Sequence, residues 1–227
     1  MENITDIFFD LDHTLWDFDR NSIFAFDKIF KANHPSLDVN EFIAIYAPIN
    51  QACWKLYQVD KITHEELRYQ RLRQTFDIMN YTIDDESIDK ISHDYIDFLP
   101  DNNQLFDGAI ELLEYLYPKY KLHIITNGFA HVQSRKMYHS GLEKYFQTVT
   151  NSEMAGVKKP HRNIFEFALS LANTKKENSI MIGDCIDADF NGAIEFGMRA
   201  ILFDEKNLHN ETTFERVSHL LEIKKIL

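Results

Sequence analysis

From Asp107-Gly108 onward the sequence alternates amphipathic helical stretches with short apolar runs, the written form of a parallel α/β sheet. A helix from about Ala109 to Tyr117 precedes the run Leu122 to Ile125, and a second, from Ala130 to His139, stops at Gly141, a residue suited to closing a helix. Then come Thr148-Val149-Thr150, a helix from Asn163 to Ala172, the run Ile180 to Ile182, a short helix Ala188 to Phe196 ended by Gly197, and the run Ala200 to Phe203. Thr212-Thr213-Phe214-Glu215 reads as the opening of a terminal amphipathic helix. One more run, Ile7 to Phe9, stands far upstream and reads as a buried strand.

Between that first run and the rest lies a different pattern. Ile23, Phe26, Ile29 and Phe30 recur at helical spacing between Asp19 and Lys31. Thr63-His64-Glu65-Glu66 has the form of a capping box opening a helix toward Met79, and Asp84 or Asp85 caps one with Ile88, Ile91 and Tyr95 on a single face. Pro48 is expected to break or kink a helix between Val39 and Gln58 near Ala47. No strand signal interrupts these residues, and Pro100-Asp101-Asn102-Asn103 closes them off. The expected organisation is a discontinuous core, residues 1–18 and 100–227, with an all-helical insertion at 19–99.

The polar residues that end the apolar runs point to chemistry. Ile7 to Phe9 delivers Asp10, with Asp12 two residues on; side chains alternate along an extended chain, so both acids face one site. Leu122 to Ile125 delivers Thr126-Asn127-Gly128, and Ile180 to Ile182 delivers Gly183-Asp184, with Asp189 five residues later. Ligands of open α/β sheets bind beyond the carboxyl ends of the strands, so these residues converge, and Lys158-Lys159-Pro160 adds a cation at the same edge. Two carboxylates in one site divide labour when their environments separate their proton affinities. An aspartate can act as a covalent nucleophile, and phosphoryl transfer otherwise asks for positioning and charge neutralisation. All the candidate metal ligands are oxygens, which suits Mg²⁺ and disfavours zinc.

Bulk properties narrow the partners. Lys and Arg number 24 against 36 Asp and Glu, a net charge of −12, which argues against a nucleic-acid polymer and leaves a small anionic metabolite. Cys53 and Cys185 are too few and too far apart to suggest a disulfide framework, and read as free thiols. With no apolar run of spanning length and no signal-peptide pattern after Met1, the expectation is a cytoplasmic protein, monomer or homodimer, without a membrane partner.

Asp10-Leu11-Asp12-His13-Thr14, Thr126-Asn127-Gly128, Lys158-Lys159-Pro160 and Gly183-Asp184-Cys185-Ile186-Asp187-Ala188-Asp189 resemble, in order and spacing, the four motifs of the haloacid dehalogenase-like (HAD) hydrolase superfamily. The resemblance implies a Rossmann-like core with a helical cap inserted after the first motif. It implies Asp10 as nucleophile and Mg²⁺ ligand, and Asp12 as general acid and base that also binds the metal through its main-chain carbonyl. Thr126 and Lys159 would hold the phosphoryl group with Asn127 assisting, Asp184 would ligate Mg²⁺, and Asp189 would support the site from behind. An acid at Asp12 marks the phosphatases of the superfamily rather than its dehalogenases. Leu15-Trp16-Asp17-Phe18, with His13 where sugar-phosphate mutases commonly have glycine, looks most like the pyrimidine 5′-nucleotidase branch. A nucleoside 5′-monophosphate is thus the implied substrate. A sugar-phosphate phosphatase, a phosphomutase and a non-enzymatic phospho-acceptor module are the alternatives. Trp16, Asn50 and Trp54 are candidate base contacts, although core packing of the insertion is the better explanation of them.

Overall fold

The computed structural model of the chain describes residues 4–209 and 214–227. Six parallel strands form one sheet: β1 (Asp6–Phe9), β2 (Lys121–Thr126), β3 (Phe146–Asn151), β4 (Ser179–Gly183), β5 (Arg199–Phe203) and β6 (Arg216–Val217). Their order is β3-β2-β1-β4-β5-β6, so β1 is central, and the chain first builds outward on one side of it and then on the other. The order in which strands are added reverses at β1/β4, and that switch point is where α/β sheets hold ligands. Every residue of β1 is buried, as a strand covered on both faces requires.

By contacts the chain divides into two compact units, Met1–Asp17 with Gln104–Leu227, and Phe18–Asn103. In the sheet unit, Phe8 and Met181 pack with Ile164, Phe165 and Ala168 of a helix over Arg162–Ala172. Fully burying side chains of this size stabilises by about 1.5–3 kcal/mol each.

The helical unit contains α1 (Phe18–Asn33), α2 (Val39–Gln58), α3 (His64–Ile78) and α4 (Asp85–Phe98). The capping box is formed as the spacing predicts: the Thr63 hydroxyl accepts the Glu66 amide at 3.1 Å, and Glu66 accepts the Thr63 amide at 2.8 Å. Asp84 caps α4 through the Ser87 amide. Pro48 does not break α2, which runs through it. The lost intrahelical hydrogen bond is outweighed because Phe42 and Tyr46 before it and Asn50 and Cys53 after it are all buried. Phe26, Phe30, Phe42, Tyr46, Phe76 and Tyr95 make the unit's aromatic core, with Phe26 stacked on Tyr95 at 4.4 Å.

The expected terminal helix is replaced by β6 and a 3₁₀ turn over Leu220–Lys225; Thr212 and Thr213 lie outside the described residues. Leu220 and Ile223 are the buried pair, three apart, which a 3₁₀ turn aligns on one side. Among the described residues no helix is long and apolar enough to cross a membrane.

At the amino end of β1, His123 lies fully buried between Asp6 and Thr148, with Nε2 3.1 Å from the Asp6 carboxylate and Nδ1 2.9 Å from the Thr148 hydroxyl. A carboxylate only accepts, so Nε2 carries the proton and Nδ1 accepts from Thr148, the pattern of a neutral imidazole. Burial holds His123 below the ordinary histidine range, against the opposing pull of Asp6. The unfolded chain therefore takes up this proton first as pH falls, and stability is lost below the ordinary histidine value. We expect His123→Gln, compared with the unaltered protein in urea titrations, to cost less stability at pH 5.5 than at pH 7.5.

Candidate active site

The three central strands run in register toward one edge of the sheet. Phe9 is paired in register with Ile124 on one side and Ile182 on the other, and the Asp10 amide donates to the Ile182 carbonyl at 2.9 Å. The sheet thus places Asp10 just past β1, Thr126 at the end of β2 and Asp184 just past β4 along one edge.

Lys159 is the hub of this edge. Its ammonium donates to the Asp10 carboxylate at 2.6 Å and the Ile125 carbonyl at 2.7 Å and forms an ion pair with the Asp189 carboxylate at 2.6 Å. It is the buried member of the lysine pair, 2 % exposed. Burial alone would lower its proton affinity, but the two carboxylates hold it above the ordinary lysine range. Asn127 secures the main chain there: its Oδ1 accepts the Lys159 amide at 2.7 Å and its Nδ2 donates to the Lys159 carbonyl at 3.0 Å. The oxygen and the nitrogen of that side-chain amide both hold the Lys159 main chain, so Asn127 positions the lysine.

Asp189 sits in a π-helical turn over Ile186–Asn191, where a continuous helix from Ala188 is expected, followed by a short helix over Gly192–Phe196. The widened turn carries the Asp189 carboxylate back over Gly183, where a Cβ would lie 2.3 Å from its oxygen. The same carboxylate accepts the Cys185 amide at 3.1 Å. The Cys185 thiol caps the turn by accepting the Ala188 amide, and burial pushes it up to about 12.

Asp12 is held apart from this cluster. It belongs to a tight turn in which the Leu15 and Trp16 amides return to the Leu11 carbonyl and His13 has φ +61°, a backbone conformation that glycine adopts freely. The Asp12 carboxylate takes Lys136 on Oδ1 at 2.6 Å and Gln133 on Oδ2 at 2.9 Å, both from a helix over Ala130–His139. Gln133 also donates to the Thr126 hydroxyl at 2.7 Å, and the Lys136 ammonium lies 4.3 Å from the centre of the Trp16 ring. Trp16 is fully buried in the sheet unit; Asn50, in the helical unit, accepts from buried Arg71 at 3.1 Å.

Asp10, Asp184 and Asp189 offer carboxylate oxygens that all lie within 4.8 Å of one another. Burial pushes Asp10 up to about 7, with Lys159 opposing and Asp189 adding to the rise. Burial followed by the charges of Asp189 and Asp10 raises Asp184 well above the carboxylate range. The carboxylates of buried Asp10 and Asp189 and of half-buried Asp184, with one lysine among them, leave negative charge that a hard, oxygen-seeking divalent cation would neutralise, and the donor set fits Mg²⁺. Asp189 is the acid already committed to Lys159 and the Cys185 amide, which leaves Asp10 and Asp184 as the freer ligands.

Gln133 and Lys136 are absent from a reading of strand ends. The signal available was two polar residues three apart beside the apolar Val132 and Met137, on the buried stripe of one helix.

The family described as haloacid dehalogenase-like hydrolase matches residues 7–203. Pyrimidine 5′-nucleotidase PynA of Streptococcus pneumoniae is 32% identical over 208 residues, covering 91% of this chain and 86% of that protein. Pyrimidine 5′-nucleotidase YjjG of Escherichia coli is 31% identical over 193 residues, covering 85% and 82%. The crystal structure of the HAD-hydrolase YfnB from Bacillus subtilis, bound to magnesium, superposes with a TM-score of 0.88 at 27% identity over 99% of each chain.

Proposed function

The chain belongs to the haloacid dehalogenase-like hydrolases, and from that membership we propose a Mg²⁺-dependent phosphomonoesterase that works through an aspartyl-phosphate on pyrimidine nucleoside 5′-monophosphates. The observation that carries the chemistry is the separate holding of the two acids. Asp10 is fixed by Lys159 among buried carboxylates, and Asp12 by Gln133 and Lys136. That is the division a nucleophile and a proton carrier need.

An Asp10 oxygen attacks phosphorus in line and the bond to the ester oxygen breaks. Asp12 delivers its proton to the departing alkoxide, and the nucleoside leaves as an alcohol. Asp12, now ionised, takes a proton from water, whose oxygen attacks the aspartyl-phosphate; inorganic phosphate leaves and Asp10 is restored. Thr126 donates to a phosphoryl oxygen and Lys159 balances its charge, with Asn127 holding the lysine main chain. A bound Mg²⁺, held by Asp10, Asp184 and the Asp12 main-chain carbonyl, would supply positive charge for the phosphoryl oxygens. The substrate class rests on likeness to PynA and YjjG across most of the chain. By the same likeness the partner is a small phosphorylated metabolite.

The test is phosphate release across pyrimidine and purine nucleoside monophosphates and sugar phosphates with excess Mg²⁺. Pyrimidine monophosphates should lead, and chelation should stop turnover until Mg²⁺ is returned. Preference for a sugar phosphate would overturn the substrate but keep the chemistry. Phosphate passed to another substrate hydroxyl without net release would indicate a mutase.

A further inference from the structure

We propose that Gln133 is a positioning residue that sets Thr126 as a hydrogen-bond donor and Asp12 as the proton donor for the same phosphoryl transfer. The inference rests on the phosphatase reading and adds to it a residue that none of the four motifs contains.

The Gln133 amide nitrogen has two protons, and both are spent: one on Asp12 Oδ2 at 2.9 Å, the other on Thr126 Oγ1 at 2.7 Å. The opposite orientation of the amide would set an oxygen against a carboxylate oxygen, so the nitrogen faces these two groups. The Thr126 hydroxyl also accepts the Gly128 amide at 3.1 Å. With two bonds accepted, the hydroxyl has only its own proton left to give, so it meets a phosphoryl oxygen as a donor. Without Gln133 the oxygen regains a free lone pair, and the hydroxyl can turn toward the Asp12 carboxylate.

Asp12 is fixed by the same bond. Lys136 holds its other oxygen at 2.6 Å, so the two anchors together set the plane of the carboxylate. Gln133 is 1 % exposed, and its Oε1 is buried without a hydrogen-bond partner, an arrangement that costs stability. The glycine of Thr126-Asn127-Gly128 fits this reading. A Cβ on Gly128 would lie 2.3 Å from Gln133 Nε2 and 2.5 Å from its Cδ, and Gly128 is not among the residues with positive φ. Its missing side chain is therefore required by Gln133, not by the backbone.

The test uses Gln133→Leu, which keeps the bulk and removes the donors, on two esters: a pyrimidine nucleoside monophosphate, whose alkoxide needs a proton to leave, and p-nitrophenyl phosphate, whose phenolate does not. Acid-quenched single turnovers report the phosphorylation step. We expect a loss of about 10–100-fold on the nucleotide, a clearly smaller loss on p-nitrophenyl phosphate, and an unchanged melting temperature. Asp12→Asn should show the same dependence on the leaving group. Gly128→Ala, which displaces Gln133, should mimic Gln133→Leu alone and add little in the Gln133→Leu background. Equal losses on both esters would overturn the Asp12 half of the role, and no loss, or a Gly128→Ala cost undiminished in the double variant, would overturn all of it, while the phosphatase reading stands. Absence of leaving-group dependence in Asp12→Asn, or no turnover of either ester by the unaltered enzyme, would overturn both.

Discussion

Asp10→Asn should abolish phosphate release while leaving the fold intact. The substitution keeps the shape of the side chain and removes the oxygen nucleophile, and losing a covalent nucleophile costs on the order of 10⁶-fold in kcat. The structure adds an expectation about stability that runs the other way. Asp10 is one of three clustered carboxylates, two of which, Asp10 and Asp189, share the Lys159 ammonium, and burial already holds it up to about 7. Removing its charge eases that crowding, so metal-free Asp10→Asn should unfold at an equal or higher temperature than the unaltered protein. The pair of measurements is turnover on p-nitrophenyl phosphate and a thermal melt in chelator. Normal turnover would sink the mechanism; a large drop in melting temperature would show that Asp10 is held for structure.

Lys159→Met should damage both function and fold. The lysine neutralises Asp10 and Asp189 and also bonds the Ile125 carbonyl, so its loss leaves buried carboxylates unpaired. Breaking a buried ion pair from one side costs about 3–5 kcal/mol. The sign of the pH dependence follows from the direction of the shifts. Asp10 and Asp184 are raised in the folded protein, so the folded state binds protons more readily than the unfolded chain above the ordinary carboxylate value. Stability from this source is present at low pH and lost as pH rises through the raised values. Without Lys159 the rise is larger, and the deficit of Lys159→Met should be smaller at pH 5.5 than at pH 8 in urea titrations of the metal-free protein. A deficit independent of pH would mean that lost packing, not charge, is the cause.

How much of this was legible beforehand differs by element. The runs beginning at Ile7, Leu122, Ile180 and Ala200 lie within β1, β2, β4 and β5, because a strand buried on both faces is apolar throughout. Thr63 and Asp84 marked helix starts through side chains that cap locally. β6 escaped notice: two residues carry no period, and Arg216-Val217 is strand only through its pairing with Leu202 and Phe203. Asp10, Thr126 and Asp184 were legible at strand ends, and Lys159 by its place before Pro160. Gln133 and Lys136 were not, since nothing local says that two polar residues on a helix's buried stripe serve an acid 121 and 124 positions earlier. The work of Asn127 was hidden for the same reason, its partner being a main chain 32 residues away.

Those separations also bear on how the enzyme comes into being. Asp10 reaches Lys159 across 149 positions, and Thr14 reaches Asp184 across 170. Contacts so distant form only after large loops have closed, which places them among the slow events of folding. During synthesis the two acids of the first motif emerge long before the lysine and the later aspartates that complete their surroundings. A half-made chain therefore carries Asp10 and Asp12 without the charges that hold them, and the site is complete only with the last long-range contacts.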